Sequence, residues 1–227
     1  MLAILVVLFL VSPTFIIDEI HISGNELVST DDIMDMLGID GTTSLVFFNI
    51  YTAGRNILQN FYISDIAFRR ELPNTLHVYI TERRPIAYVE HLPGVFLLLD
   101  DDGFVIEVKD QMTERLPLLT GLGVARFQLG QRIQIPTATA FNAIVHYALL
   151  LDHHGLIERI AYVNVSDTNN IRIVVGYMEF NVGGVMGADE KVRTILGMLD
   201  ALPNADIMRG FVDMRNIDSQ YFLEILQ

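Results

Sequence analysis

Several clusters in this sequence carry side chains that could do chemistry. Asp100-Asp101-Asp102-Gly103, with Glu107 four residues past the glycine, offers the oxygen ligands a calcium ion wants. A calcium loop of the EF-hand kind, however, spreads its carboxylates over about twelve residues between two helices. Here they sit between two strand-like stretches, so a solvated Asp-Gly hairpin tip is the better reading. His146, His153 and His154 supply imidazoles, and positions 146 and 153 share a helix face, but no third ligand follows at a workable spacing. They read as ordinary surface or helix-end histidines. Gly183-Gly184-Val185-Met186-Gly187 before a helix could present N–H groups to a phosphate. Asp189 and Glu190 occupy the same first turn and would repel it, which favours a plain strand-to-helix turn. Arg69-Arg70 and Arg83-Arg84 form the densest basic group, yet neighbours in a strand point to opposite faces, so each pair splits. Solvated sheet charges are the simpler account of them; contact with a partner or with lipid headgroups is the other.

Convergent catalytic motifs are missing. The chain has no GxSxG elbow, HExxH, Walker A or GxGxxG pattern. With no Cys there are no disulfides, no thiolate nucleophile and no thiolate-held metal. No catalytic, cofactor-binding or metal site is assigned, and a non-enzymatic protein is expected. The 28 acids against 15 bases, a formal charge of −13, argue against nucleic acid and against a polybasic grip on anionic lipid. An apolar fraction of 51% excludes intrinsic disorder, and 227 residues are enough for a real core.

The elements that must position any site follow from periodicity and punctuation. Ile20 and Ile22 alternate with Glu19, His21 and Ser23, a half-buried strand closed by Gly24-Asn25. Ser29 and Thr30 offer N-caps to a helix with Asp31 and Asp32 in its first turn, apolar side chains at Ile33, Met36 and Leu37, and Gly38 at its end. A second helix is expected after Asn49, through residue 60. Strands at 63–70 and 76–82 join through Leu72-Pro73-Asn74-Thr75, a hairpin turn. The order β-α-α-β-β makes a compact unit with helices on one face of a small sheet. Beyond Pro85 the pattern is strand-rich: 86–90, 95–99, 104–108, 157–165, 171–175, 178–182, 211–214 and 220–226. Helices are expected at 138–151, capped by Thr137, and at 188–202, with a looser stretch over 110–136.

The opening run, MLAILVVLFLVSPTFII, carries no charge before Asp18. A buried helix, a cleaved signal peptide and a membrane anchor compete. The absence of a polar face counts against the first, and the lack of a basic start and an Ala-x-Ala site against the second. The anchor is favoured, with its upstream end missing; no Lys or Arg precedes Arg55, so charge does not set its direction. The expected organisation is an anchor at 1–14, a small module at 15–84 and a β-rich domain at 85–227.

The last strand ends one residue before the terminus, has no proline, and is guarded only by Glu224. If it lies at a sheet edge, its unpaired backbone can accept a partner's strand. Tyr221, Leu223 and Ile225 fall on one face; Phe222, Glu224 and Leu226 on the other. Arg215 and Asn216 would sit at the rim, Arg215 pairing with a partner's acid or, equally, with an internal one. The bland alternative is a core strand paired on both sides.

Three stretches resemble the bacterial cell-division family called FtsQ or DivIB. SPTFIIDEIHISGNELVSTDDI, residues 12–33, is similar to that family's passage from membrane helix into the first strand of its POTRA module. RRELPNTLHVYITERRPIAYV, residues 69–89, resembles its Pro-Asn-Thr-Leu hairpin and Glu-Arg-x-Pro-x-Ala ending, although Leu72 replaces the aromatic often found before the turn. Gly184, Gly187, Lys191 and Val212-Asp213-Met214-Arg215 resemble its glycine turn, helix lysine and Asp-x-Arg strand. The resemblance implies an α+β protein: N-terminal membrane helix, POTRA-like module, then a larger β-rich domain with two helices. It implies a single-pass protein of the cytoplasmic membrane, its bulk outside, gathered at the division septum. It also implies a scaffold recruiting FtsB- or DivIC-type and FtsL-type subunits, a partner adding a strand at the C-terminal end. The runner-up is a POTRA-containing component of secretion or outer-membrane assembly, and the rival from another class is an envelope enzyme with an unseen constellation.

Overall fold

The computed structural model describes residues 9, 12–135, 138–202, 209–216 and 222–225, the last as backbone. It divides into two compact units, Met1–Arg84 and Pro85–Gln227.

In the first unit Ser12 caps a short 3-10 turn, Pro13–Phe15, its hydroxyl accepting from Thr14 N–H. The expected anchor falls mostly on residues 1–8, 10 and 11, outside the described residues. No helix among the described residues is long and apolar enough to cross a membrane. Strand β1, Glu19–Ser23, runs parallel to β3, Thr75–Glu82, which pairs antiparallel with β2, Ile63–Glu71. The sheet order is therefore β1-β3-β2. Helix α1, Thr30–Leu37, starts as its sequence directs: Ser29 Oγ accepts from Asp32 N–H at 3.1 Å, and Gly38 closes it in the left-handed region at φ 63°. Helix α2, Ile50–Ile57, is capped by Asn49, whose Oδ1 accepts from Tyr51 and Thr52 N–H at 3.1 Å each. It ends short of the expected residue 60. Ile33 and Leu37 from α1, Ile57 from α2, and Leu76 and Val78 from β3 close one apolar core.

Gly24 has a reason to be glycine. Its φ is +86°, and a Cβ there would stand 2.1 Å from the Ile80 carbonyl oxygen. The loop beyond it is held by Glu82, whose carboxylate accepts N–H bonds from Glu26, Leu27 and Val28 at 2.8–2.9 Å.

The second unit is built on one nine-stranded mixed sheet. Its strands are β4 Pro85–Leu92, β5 Val95–Asp100, β6 Val105–Lys109, β7 Leu118–Thr120, β8 Ile160–Asn164, β9 Ile171–Val175, β10 Met178–Gly183, β11 Gly210–Asp213 and β12 Phe222–Ile225. The spatial order is β12-β11-β10-β9-β8-β7-β4-β5-β6. Helices α3, Ala138–His153, and α4, Ala188–Ala201, contribute Ile144, Tyr147, Leu151, Val192 and Ile195 to its core, together with Leu97, Leu99, Ile173 and Phe180 from the strands. Thr137, the expected cap of α3, lies outside the described residues.

Two departures from the expected elements have plain causes. The stretch read as loose over 110–136 contains β7, three residues long, which pairs parallel with both β4 and β8. Three residues are too few to show periodicity. The strand expected from residue 157 begins at Ile160, because Ile157–Arg159 forms a 3-10 turn in which Ile160 N–H bonds back to the Ile157 carbonyl.

Candidate functional site

Three side chains of the clusters singled out from sequence, Asp100, His154 and Arg70, are held by hydrogen bonds within the chain. Asp100 is buried, not solvated as the hairpin-tip reading expected: its Oδ1 accepts from Asp102 N–H at 3.0 Å and Phe104 N–H at 2.6 Å, so the carboxylate closes the β5–β6 hairpin. His154 Nε2 lies 2.9 Å from Asp189 Oδ1, tying the end of α3 to the first turn of α4. That hydrogen bond is the first cause holding the Asp189 carboxyl below the usual aspartate range, and Arg193 adds to it. Arg70 donates to the Phe48 carbonyl at 2.6 Å.

The glycine turn is a brace. Gly187 starts α4 in the left-handed conformation, with Asp189 and Glu190 following it. Lys191 is buried and its Nζ donates to the Val182 carbonyl at 2.6 Å; burial lowers its pKa. Tyr147, also buried, donates its hydroxyl to the Gly184 carbonyl at 2.8 Å, and burial pushes that hydroxyl's pKa up. Two buried polar side chains thus hold the carbonyls on either side of Gly183.

That brace supports the start of the C-terminal edge. Asn181 Oδ1 accepts from Gly183 N–H at 3.1 Å, and its carbonyl accepts from Met214 N–H at 2.8 Å. Gly183 has φ +65°, and a Cβ there would come within 3.2–3.4 Å of Arg215. Strand β11 pairs parallel with β10, and β12 pairs antiparallel with β11, with Asp213 opposite Phe222, Val212 opposite Leu223 and Phe211 opposite Glu224. Among the described residues β11 is the one neighbour of β12, which closes the strand order.

The sequence-derived candidates fall unevenly on this edge. Arg215 and Asn216 stand exposed just beyond β11. Phe222, Leu223, Glu224 and Ile225 form β12, while Tyr221 and Leu226 lie outside the described residues. The Arg215 guanidinium is committed inward: its Nε lies 2.9 and 3.0 Å from the two Asp213 carboxylate oxygens, its Nη2 also donates there, and its Nη1 reaches Asn170 Oδ1 at 3.5 Å. Those bonds hold Asp213 below the usual aspartate range and raise Arg215. The chain by itself forms the internal pair, one of the two readings open for Arg215. Glu82, which anchors three loop N–H groups, was visible in the sequence only as part of a family signature. No local pattern marks a carboxylate whose donors lie more than fifty positions away.

Comparison with known proteins adds the following. The family model described as "POTRA domain, FtsQ-type" matches residues 15–83. The chain is 26% identical over 200 residues to the cell division protein DivIB of Clostridium tetani, covering 88% of this chain and 75% of that one. It is 23% identical over 215 residues to DivIB of Clostridium botulinum, with 94% and 84% covered. Over 107 residues it is 32% identical to the cell division protein FtsQ of Rhizobium meliloti, which takes in 47% of this chain and 35% of the relative.

Proposed function

We propose, for a chain that belongs to the FtsQ/DivIB family of cell-division proteins, that it works as a membrane-associated scaffold of the division machinery. It makes and breaks no covalent bond. FtsB- or DivIC-type and FtsL-type subunits dock on it, one of them adding a strand to the outer side of β12, with its bulk outside the cytoplasmic membrane at the septum. One observation carries this reading: the strand order ends at β12, which leaves one side of its backbone ladder without a described partner. In such a ladder the main chain supplies affinity and alternate side chains supply selectivity. Arg215 and Asn216 flank the start of that edge, and a partner carboxylate would compete with Asp213 for the guanidinium.

The test is paired proline scanning. Adjacent N–H groups of a strand point to opposite sides, so Leu223→Pro and Glu224→Pro remove one inward and one outward donor. The outward one should abolish co-purification of the FtsB- or DivIC-type subunit while the chain stays folded by circular dichroism. Full capture by both folded variants overturns the site. In cells, depletion should give long unseptated filaments; normal septa with a damaged envelope would overturn the division role.

A further inference from the structure

The most exposed apolar side chains of the first unit are gathered at one end. Its four most exposed large apolar side chains among the described residues are Tyr51 at 86%, Leu72 at 67%, Phe9 at 64% and Phe47 at 62%. Backbone bonds bring their segments together. Ile17 N–H donates to the Thr43 carbonyl at 2.9 Å and Leu45 N–H to the Phe15 carbonyl at 2.7 Å, while Asp18 N–H reaches Asn74 in the hairpin tip at 3.0 Å. Arg70 ties that hairpin to Phe48. The Phe9 ring packs edge-on against Phe15 with centroids 5.2 Å apart. All of this lies where β1 and β3 begin, and the chain arrives there from residues 1–11, which contain no polar side chain.

We propose that this end of the module rests in the membrane interface, with Phe47, Tyr51 and Leu72 dipping among the lipid headgroups and the first acyl carbons. The inference rests on the membrane-association reading above and adds to it which surface of the module meets the bilayer. An exposed apolar cluster calls for a covering, and the chain itself indicates which one, since the most apolar run of the sequence leads straight into it. Tyr51, a ring with one polar edge, suits the headgroup level. The charges near this end, Asp18, Glu19, Asp40 and Glu71 against Arg69 and Arg70, give no basic excess. The contact is therefore apolar insertion and is indifferent to salt and to anionic lipid. Its consequence is a fixed standing angle for β1 and β3 on the membrane.

The chain has no tryptophan, so a single introduced one reports alone. Phe47→Trp, Tyr51→Trp and Leu72→Trp are each placed in the full chain and reconstituted in phosphatidylcholine vesicles brominated near the headgroup end of the acyl chains. Leu27→Trp is the internal control: it is 57% exposed, and its loop is tied to Glu82 at the far end of β3. Eight strand residues separate the two ends, roughly 25 Å. Emission at positions 47, 51 and 72 should shift to the blue and lose most of its intensity, unchanged by added salt, while position 27 keeps its emission. Vesicle-bound chain with all of these unquenched overturns the proposal alone, as does a blue shift without quenching, which would mean a protein covers this end. Equal quenching at position 27 overturns the end-on placement. Failure of the chain to float with vesicles overturns the membrane-association reading and this proposal with it.

Discussion

The two ends of the nine-stranded sheet are finished differently. At β6 the chain covers its own edge. Val105 N–H donates to the Gln131 carbonyl at 3.0 Å and its carbonyl accepts from Gly130 N–H at 2.9 Å, so a loop occupies the first part of the ladder. Charge guards the rest: Lys109 Nζ lies 2.6 Å from Glu114 and 3.4 Å from Glu107. At the other end β12 offers a single charged residue, Glu224, and pairs with β11 on one side. Covered and charged edges are how soluble sheets avoid edge-to-edge association. Among the described residues no loop pairs with the outer side of β12, and an end left so is where a docked strand is least opposed.

The contrast can be broken by symmetric substitutions. The largest effect is expected from the outward-pointing member of Leu223→Pro and Glu224→Pro, which should weaken partner capture on the order of 100-fold, ~3 kcal/mol. Val108→Pro on β6 should leave capture within about twofold by the same pull-down titration, because edge strands tolerate proline and no partner is proposed there. Equal losses at both ends would erase the distinction.

Next come the glycines that set each edge. Gly183→Ala and Gly103→Ala both force a side chain into the left-handed region, at φ +65° and +83°, against Arg215 and the Phe141 ring respectively. Each should cost about 1–3 kcal/mol in urea denaturation. Only Gly183→Ala should also lower the affinity of the folded protein for its partner, since it displaces Arg215 beside β11.

Lys191→Met should destabilise by about 1–2 kcal/mol, because it strips the buried Val182 carbonyl of its donor. Affinity should fall with it if the brace positions β11. The smallest effect belongs to the Asp213–Arg215 pair, whose exposed guanidinium is screened by solvent. The pair lowers the Asp213 pKa, so its contribution is complete above the ordinary aspartate range and is lost as pH falls through the depressed value. Stability in urea should therefore hold from neutrality into mild acid and decline only in stronger acid, and Asp213→Asn should remove that acid limb.

What proved legible in the sequence was whatever a few neighbouring residues settle among themselves. Ser29, Asn49 and Gly38 end helices through bonds spanning two to four positions. The apolar alternation around Ile20 and Ile22 placed a strand without any knowledge of its partner. The reading failed where an element was too short to show a period, as in β7, or where a turn and a strand shared one apolar run, as at residues 157–160.

The candidate site was legible as a strand and a rim arginine, but its environment was not. That β11 lies parallel to β10, with α4 as the crossover between them, is a long-range pairing. It is stabilised by Lys191 and Asn181, polar residues whose burial no local pattern announces. The inward turn of Arg215 onto Asp213, two residues away, was one of two options that chain order left equal. By itself the sequence determined element types, their caps and an uncharged apolar run leading into the first module, because hydrophobic periodicity and turn chemistry are local. Tertiary structure alone decided which strand became an edge, which carboxylates were spent on backbone amides and which apolar side chains stayed in solvent. Each of those depends on contacts between segments that the linear order keeps apart.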